Sequence, residues 1–102
     1  MNPSDLQNFT LYPNGFTIVF PNGLKASVRW GMGHYCVRKD PKDFSAAMTA
    51  EVAALDALGD FVHVPGFDYQ DDKVLPSLSP QQVLDFLNAL SVMVTTNGMV
   101  KA

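Results

Sequence analysis

The chain has 102 residues, 47% of them hydrophobic and 17% charged, which is the composition of one compact domain (residues 1–102) rather than of a disordered chain. Its formal net charge of −3 is too small for a polyanionic DNA mimic and has the wrong sign for a typical nucleic-acid-binding domain. A single Cys excludes an internal disulfide, and no signal peptide or run of roughly 20 apolar residues is present, so we expect an intracellular protein in a reducing cytoplasm.

The N-terminal third predicts an antiparallel meander. Residues 1–8 are polar and predict a loose lead-in, and Phe9 to Tyr12 predicts a short strand. From Phe16 to Trp30 the even positions are apolar except at Asn22, and the polar residues Thr17, Lys25, Ser27 and Arg29 alternate with them, with Val19 as an exception. This period of two predicts two strands with one buried face and one solvated face.

The turn between these strands is predicted to be the three-residue loop Pro21-Asn22-Gly23. A two-residue Asn22-Gly23 loop would set Phe20 opposite Lys25, which burial of one face forbids. The three-residue loop instead sets Phe20 opposite Leu24, with Gly23 in the left-handed position after a type I turn.

A glycine-rich break follows Trp30. The pair of glycines in Gly31-Met32-Gly33 predicts a bend or a close approach to the backbone, and with Trp30 and Tyr35 it marks the one candidate pocket. Residues 34–37 are consistent with a return to extended structure, and residues 38–43 form a charged loop.

Residues 44–64 support two interpretations. Local propensity favours a helix over residues 44–59, with apolar residues at helical spacing and many alanines. The alternative is a strand at Ala50–Leu55, a turn at residues 56–59 and a strand at Phe61–Val64.

The C-terminal part predicts a long loop and then a helix. Residues 65–78 predict the loop, and Ser79-Pro80-Gln81-Gln82 is a capping box with Pro at the first helical position. Asn97-Gly98 is predicted to close the helix, and residues 95–102 to form the tail. The apolar stripe that should cover the sheet consists of Val83, Leu84, Phe86, Leu87, Leu90, Met93 and Val94.

The order of these motifs resembles a group of small proteins carried by tailed bacteriophages. The resemblance spans residues 16–90, and in that group the A-E-V-A stretch is a strand followed by a turn and a strand, so we adopt the hairpin for residues 50–64. It implies a phage setting and no particular activity. The motifs are FPNG at 20–23, ASVRWG at 26–31, GHYC at 33–36, AEVA at 50–53, D…G at 56–59, DKVL at 72–75 and SPQQV at 79–83.

We therefore predict an α+β fold, in which an antiparallel sheet of four to five strands in meander order is covered on one face by one C-terminal helix. Short edge strands, together with Val92, Met93 and Val94 near the helix end, are consistent with a homodimer.

Metal and catalytic sites are not predicted. His34, Cys36 and His63 provide too few ligands, without a second close pair, for structural zinc. A nucleophile–base pair of Cys36 with either His has no further support, and Asp68, Asp71 and Asp72 lack the spacing of an EF-hand loop. The chain shows no phosphate-binding Gly loop or nucleophile elbow, so we expect no cofactor and no enzymatic activity.

Charge asymmetry is the more informative functional feature. Five of the seven basic residues lie in residues 25–42, whereas residues 43–85 hold eight acids and one base. The basic segment could bind a phosphate or simply form a solvated surface, and the acidic remainder favours a protein partner or self-association. The predicted contact residues are Lys25, Arg29, Trp30, Met32, His34, Tyr35, Arg38 and Lys39.

Two functional hypotheses follow. The first is a non-enzymatic phage accessory protein in the host cytoplasm that binds a host protein or a small host signal and inhibits a bacterial defence system. The second is a nucleic-acid or nucleotide-binding module that uses the basic segment. A virion or assembly component is a third, weaker hypothesis.

Overall fold

The computed structural model describes residues 8–12, 14–30, 47–69 and 73–100, which form an α+β fold. The elements are β1 (Phe9–Tyr12), β2 (Gly15–Val19), β3 (Lys25–Arg29), β4 (Ala50–Leu55), β5 (Phe61–Val62), β6 (Leu75–Leu78), α1 (Pro80–Ser91), β7 (Thr95–Thr96) and β8 (Met99–Val100).

The main sheet has six antiparallel strands, and the predicted fold class is confirmed. Strands β1 to β5 follow one another in meander order, and β6 pairs with the start of β4, beside β5. Helix α1 contacts β4 and β6, and β7 and β8 form a separate hairpin. We call the sheet face that α1 covers the helix face, and the opposite one the outer face.

The β2–β3 hairpin has the predicted register. Ile18 lies opposite Ala26, and the Phe20 amide donates to the Leu24 carbonyl at 2.8 Å, which closes the three-residue loop. Gly23 has a φ of +87°, the left-handed conformation that the loop requires.

The second hairpin is also confirmed, against the local helix propensity, although its second strand ends at Val62 rather than at the predicted Val64. Residues Ala50–Leu55 form the central strand β4, with β3 on one side and β5 and β6 on the other. Asp56 stabilises the following turn, because its Oδ1 accepts from the amides of Leu58 at 2.9 Å and Asp60 at 3.0 Å. Burial in mid-sheet and this turn together outweigh propensity.

Strand β6 corrects the predicted loop over residues 65–78. Leu75 and Leu78 are buried against the core, while the two residues between them are exposed. Ser77 has a φ of +56°, and the pairing with β4 shifts register between Ala50 and Val52. This irregularity removes the alternation by which a strand is recognised in a sequence.

Helix α1 begins as predicted. The Ser79 hydroxyl accepts from the Gln82 amide at 3.3 Å, and the Gln82 side chain accepts from the Ser79 amide at 2.8 Å. Phe86 and Leu90 are fully buried, with Val83, Leu87 and Met93 packed around the core.

Two parts of the helix prediction are wrong. Leu84 and Val94 are exposed rather than part of the covering stripe. The helix ends at Ser91, and Asn97-Gly98 forms the β7–β8 turn instead of closing the helix. Asn97 has a φ of +53°, which Asn and Gly tolerate in hairpin turns as well as in helix caps, so the sequence signal is shared by both structures.

Three turns meet at one end of the sheet. A Cβ at Gly23 would lie 2.6 Å from the Gly98 Cα, and a Cβ at Gly98 would lie 2.5 Å from the Ala57 Cβ. The Ala57 amide donates to the Gly98 carbonyl at 3.1 Å. The three turns therefore pack backbone against backbone.

Replacing Gly23 by Ala should lower the free energy of unfolding by about 2–3 kcal/mol, from left-handed backbone strain plus the collision with Gly98. Gly59→Ala is the matched control, because Gly59 has nearly the same φ, +86°, and a Cβ added there would have nothing within 4 Å. The control should lose only about 1–2 kcal/mol in urea denaturation. Equal losses for the two variants would contradict the close packing of the turns.

Candidate functional site

The structure separates the predicted contact residues that it describes. Lys25 and Arg29 extend from β3 on the outer face, whereas Trp30 follows β3 and packs against the core on the helix face. The remaining predicted contacts lie outside the described residues: Met32, His34, Tyr35, Arg38 and Lys39.

On the outer face, Arg29 is engaged within the chain. Its guanidinium carbon lies 3.5 Å from the centroid of the Tyr12 ring, and its Nε donates to the Ser27 hydroxyl at 3.0 Å. Side-chain hydrogen bonds with Thr17, which has the larger effect, and with Arg29 lower the pKa of the Tyr12 phenol below its ordinary value of 10.0.

The outer face also carries an acidic residue. Glu51 lies directly opposite Arg29 in the β3–β4 register. An anion approaching Arg29 would therefore meet a carboxylate beside it, which weakens phosphate binding there. Lys25 lies opposite Leu55 instead.

On the helix face, a cleft opens between the sheet and the start of α1. Its volume is about 420 Å³, within the range of small-molecule pockets. The Phe16 and Trp30 rings meet edge to face on one side, with centroids 6.5 Å apart. We call this the Trp30 cleft; its lining residues are Phe16, Val28, Trp30, Ala47, Met48, Thr49, Ala50, Leu78, Pro80 and Val83.

The Trp30 cleft lies beside the position at which the sequence predicts a pocket. Residues 31–46 connect Trp30 to Ala47, and both of these residues line the cleft. The Gly31-Met32-Gly33 part of the prediction falls outside the described residues. Met48 is 59% exposed, although Met is usually buried, and it lines the cleft from a position two residues before β4.

Most of the lining could not be found from the sequence. Leu78, Pro80 and Val83 come from β6 and α1, far from Trp30 along the chain. Met48 has the spacing of the helical alternative for residues 44–59, which the structure does not adopt. The aromatic Trp30 next to a glycine break is the one signal that points here.

The described lining of the Trp30 cleft is almost entirely apolar. Thr49 is the only polar side chain among its described lining residues apart from the Trp30 indole, and none of them is an acid or a base that could activate the Thr49 hydroxyl. Such a lining suits an apolar group of a ligand, because contact with the wall removes that group from water.

His63, one of the candidate metal ligands, packs on Tyr69. The two ring centroids are 4.1 Å apart, and the Tyr69 hydroxyl accepts from the Val64 amide at 3.1 Å. Burial raises the pKa of the Tyr69 phenol. His34 and Cys36 lie outside the described residues; within them, no three His, Cys, Asp or Glu side chains lie close enough to share a metal ion.

Comparison with family models, with curated proteins and with solved structures gave no match. The resemblance to phage proteins therefore depends on the sequence motifs alone. Crossing a bilayer as a helix requires both length and apolarity, and no helix in the described part of the chain has them.

Proposed function

We propose that this chain is a non-enzymatic binding protein that holds an apolar group of its ligand in the Trp30 cleft. The observation that carries the proposal is the cleft itself, an apolar cavity of about 420 Å³ with an exposed Met at its edge. Aromatic and Met side chains at the edge of an open cavity are typical of recognition sites, because aromatic rings offer large rigid apolar surfaces and the flexible Met side chain adapts to the shape of a ligand.

The size and lining of the cleft define the class of ligand. A volume of about 420 Å³ accommodates a fused aromatic ring system or two bulky side chains of a protein partner. The described lining of the cleft carries no charged side chain, so any charged group of the ligand must be bound by residues outside this lining. A ligand with an apolar ring and a separate polar part fits this arrangement best.

The fluorescent probe 8-anilinonaphthalene-1-sulfonate tests the proposal in solution. We expect the native chain to bind one probe per chain. A probe in the cleft would lie beside Trp30 and quench its emission, and all Trp emission comes from Trp30 because it is the only Trp. Met48→Glu should weaken binding at least about tenfold, since it places a negative charge at the edge of an apolar cavity and repels the sulfonate of the probe.

Leu84→Glu is the matched control for this experiment. Leu84 is an apolar residue on α1 that is 50% exposed and does not line the cleft, so its replacement should leave probe binding unchanged. Unfolding midpoints of both variants would show that they remain folded. Equal binding by the native chain and Met48→Glu, or no saturable binding at all, would contradict the proposal.

We further propose that this binding protein is a phage accessory protein in the host cytoplasm, whose ligand is a host protein or a small host signal of a defence system. The phage-like order of motifs supports this setting, and the lack of catalytic groups in the described cleft supports inhibition by binding. Expression of the native chain in a defended host should restore phage plating, and Met48→Glu should not. Unchanged plating with both would contradict the setting while leaving cleft binding intact, and recovery of the chain in purified particles would favour a virion component.

A nucleic-acid or nucleotide-binding module is the second candidate, favoured by the Arg29–Tyr12 stack with Lys25 on the same face. Stacked Arg and Tyr side chains are a common surface for unpaired bases. A single-stranded oligonucleotide at low salt should then be retarded in a gel, and Lys25→Glu should abolish the retardation. No retardation at low salt would eliminate this candidate.

A further inference from the structure

We propose that β1 pairs with β1 of a second copy of this chain, so that two sheets join into one continuous antiparallel sheet. The two-fold axis would run perpendicular to the sheet through Thr10, and Phe9 of each copy would lie opposite Leu11 of the other. The pairing uses main-chain groups of β1 and does not require the Trp30 cleft, although Phe16, which lines that cleft, is the partner of Leu11 in the β1–β2 register.

Strand β1 is an open edge in the described part of the chain. It pairs with β2 on one side, and no described strand lies on its other side. The Val19 amide donates to the Asn8 carbonyl at 2.8 Å. Since main-chain groups alternate in direction along an antiparallel strand, Thr10 and Tyr12 also bond toward β2, and Phe9 and Leu11 direct their amides and carbonyls outward.

One register satisfies all of these outward groups with described residues alone. With Phe9 opposite Leu11 of the second copy, each residue donates to and accepts from the other, so all outward main-chain groups of both β1 strands are satisfied. A shift that sets Phe9 opposite Pro13 would lose a bond, because Pro has no amide proton. A shift of one residue would put the helix face of one copy on the same side of the joined sheet as the outer face of the other copy.

The side chains of β1 favour the same pairing. Phe9 is 77% exposed and Leu11 is 86% exposed, and both extend the helix face beyond Phe16 and Ile18, their partners in the β1–β2 register. In the proposed register each Phe9 packs beside a Leu11. Natural edge strands are usually protected by a charge, a Pro or a bulge, and β1 (FTLY) has none of these.

The contact area indicates a weak dimer. An aromatic side chain buries roughly 150–250 Å² when it is fully covered, so two Phe9 and two Leu11 side chains cover less than the roughly 1,200 Å² of a standard interface. We therefore expect a reversible dimer whose population rises with protein concentration, rather than an obligate one.

Sedimentation velocity over a concentration series tests the interface. The native chain should shift from monomer toward dimer as concentration rises, and Leu11→Lys should remain monomeric at every concentration. Val92→Lys, an equally exposed apolar site at the end of α1, should dimerise like the native chain. A native chain that stays monomeric, or dimerisation that is lost in Val92→Lys but kept in Leu11→Lys, would overturn the proposal.

Cysteine cross-linking tests the register. In a Cys36→Ser background, which removes the only native thiol, Thr10→Cys should form a disulfide-linked dimer, because residues opposite each other without hydrogen bonds have Cα atoms about 4.5 Å apart. Leu11→Cys should not, since its two copies would be roughly 8 Å apart, beyond the reach of a disulfide. Cross-linking of Leu11→Cys but not of Thr10→Cys would overturn the register.

Discussion

Replacing Phe86 by Ala is expected to lower the free energy of unfolding by about 3–5 kcal/mol, which for a domain of this size removes much of the total stability. Phe86 is fully buried where α1 meets the sheet, and its ring lies edge to face against Phe67 with centroids 5.4 Å apart. Removing the Phe86 ring leaves a cavity in the core and removes the contact with the Phe67 ring. Urea denaturation followed by circular dichroism measures the loss.

Leu84→Ala is the control for this prediction. Leu84 lies two positions before Phe86 on the same helix but is half exposed, so its truncation should lower the free energy of unfolding by less than about 1 kcal/mol. Similar losses for the two variants would mean that α1 does not pack on the sheet through Phe86.

Replacing Asn22 by Asp is expected to lower the free energy of unfolding by about 3–4 kcal/mol. The Asn22 amide nitrogen donates to the carbonyls of Leu90 at 2.9 Å and Met93 at 3.1 Å, which ties the β2–β3 turn to the end of α1. A carboxylate cannot donate, and it would face the negative end of the helix dipole. Thr95 also donates its hydroxyl to the Asn22 carbonyl.

Asn88→Asp separates the lost hydrogen bonds from the added charge. Asn88 is exposed near the end of α1, so this variant places the same charge near the same helix terminus without breaking the contacts of Asn22. It should lose less than about 1 kcal/mol at low salt. If Asn22→Asp were no more destabilised than Asn88→Asp, the turn would not hold the helix end as described.

The parts of the fold that could be predicted are those encoded by neighbouring residues. The β2–β3 register could be predicted because the apolar residues of both strands occupy even positions and must share one buried face. Only the three-residue loop sets these residues opposite each other. The capping box fixed the start of α1, because Ser79 and Gln82 satisfy each other's backbone amides within one turn.

The parts that could not be predicted depend on contacts between distant residues. Nothing near Asn22 indicates that its side chain donates to Leu90, 68 positions away. Strand β6 is defined by its pairing with the start of β4, which is distant in sequence. The left-handed backbone at Ser77 interrupts the alternation of apolar and polar residues by which a strand is predicted.

The candidate site divides in the same way. Trp30 could be singled out from its own neighbours, whereas the opposite wall of the cleft comes from β6 and α1. Period-two alternation already placed Lys25 and Arg29 on the opposite face from Trp30, so the predicted contact residues could not all share one surface.

The most direct test of the proposed binding site is a two-dimensional ¹H–¹⁵N spectrum of the chain recorded during titration with 8-anilinonaphthalene-1-sulfonate. This probe carries both an apolar ring system and a negative charge, so it can bind either in the Trp30 cleft or beside Lys25 and Arg29 on the outer face. We predict that the single indole signal of Trp30 and the amides of Ala50 and Val83 shift together, while those of Lys25 and Arg29 stay in place. Shifts centred on Lys25 and Arg29 with an unmoved Trp30 signal would contradict the proposed site.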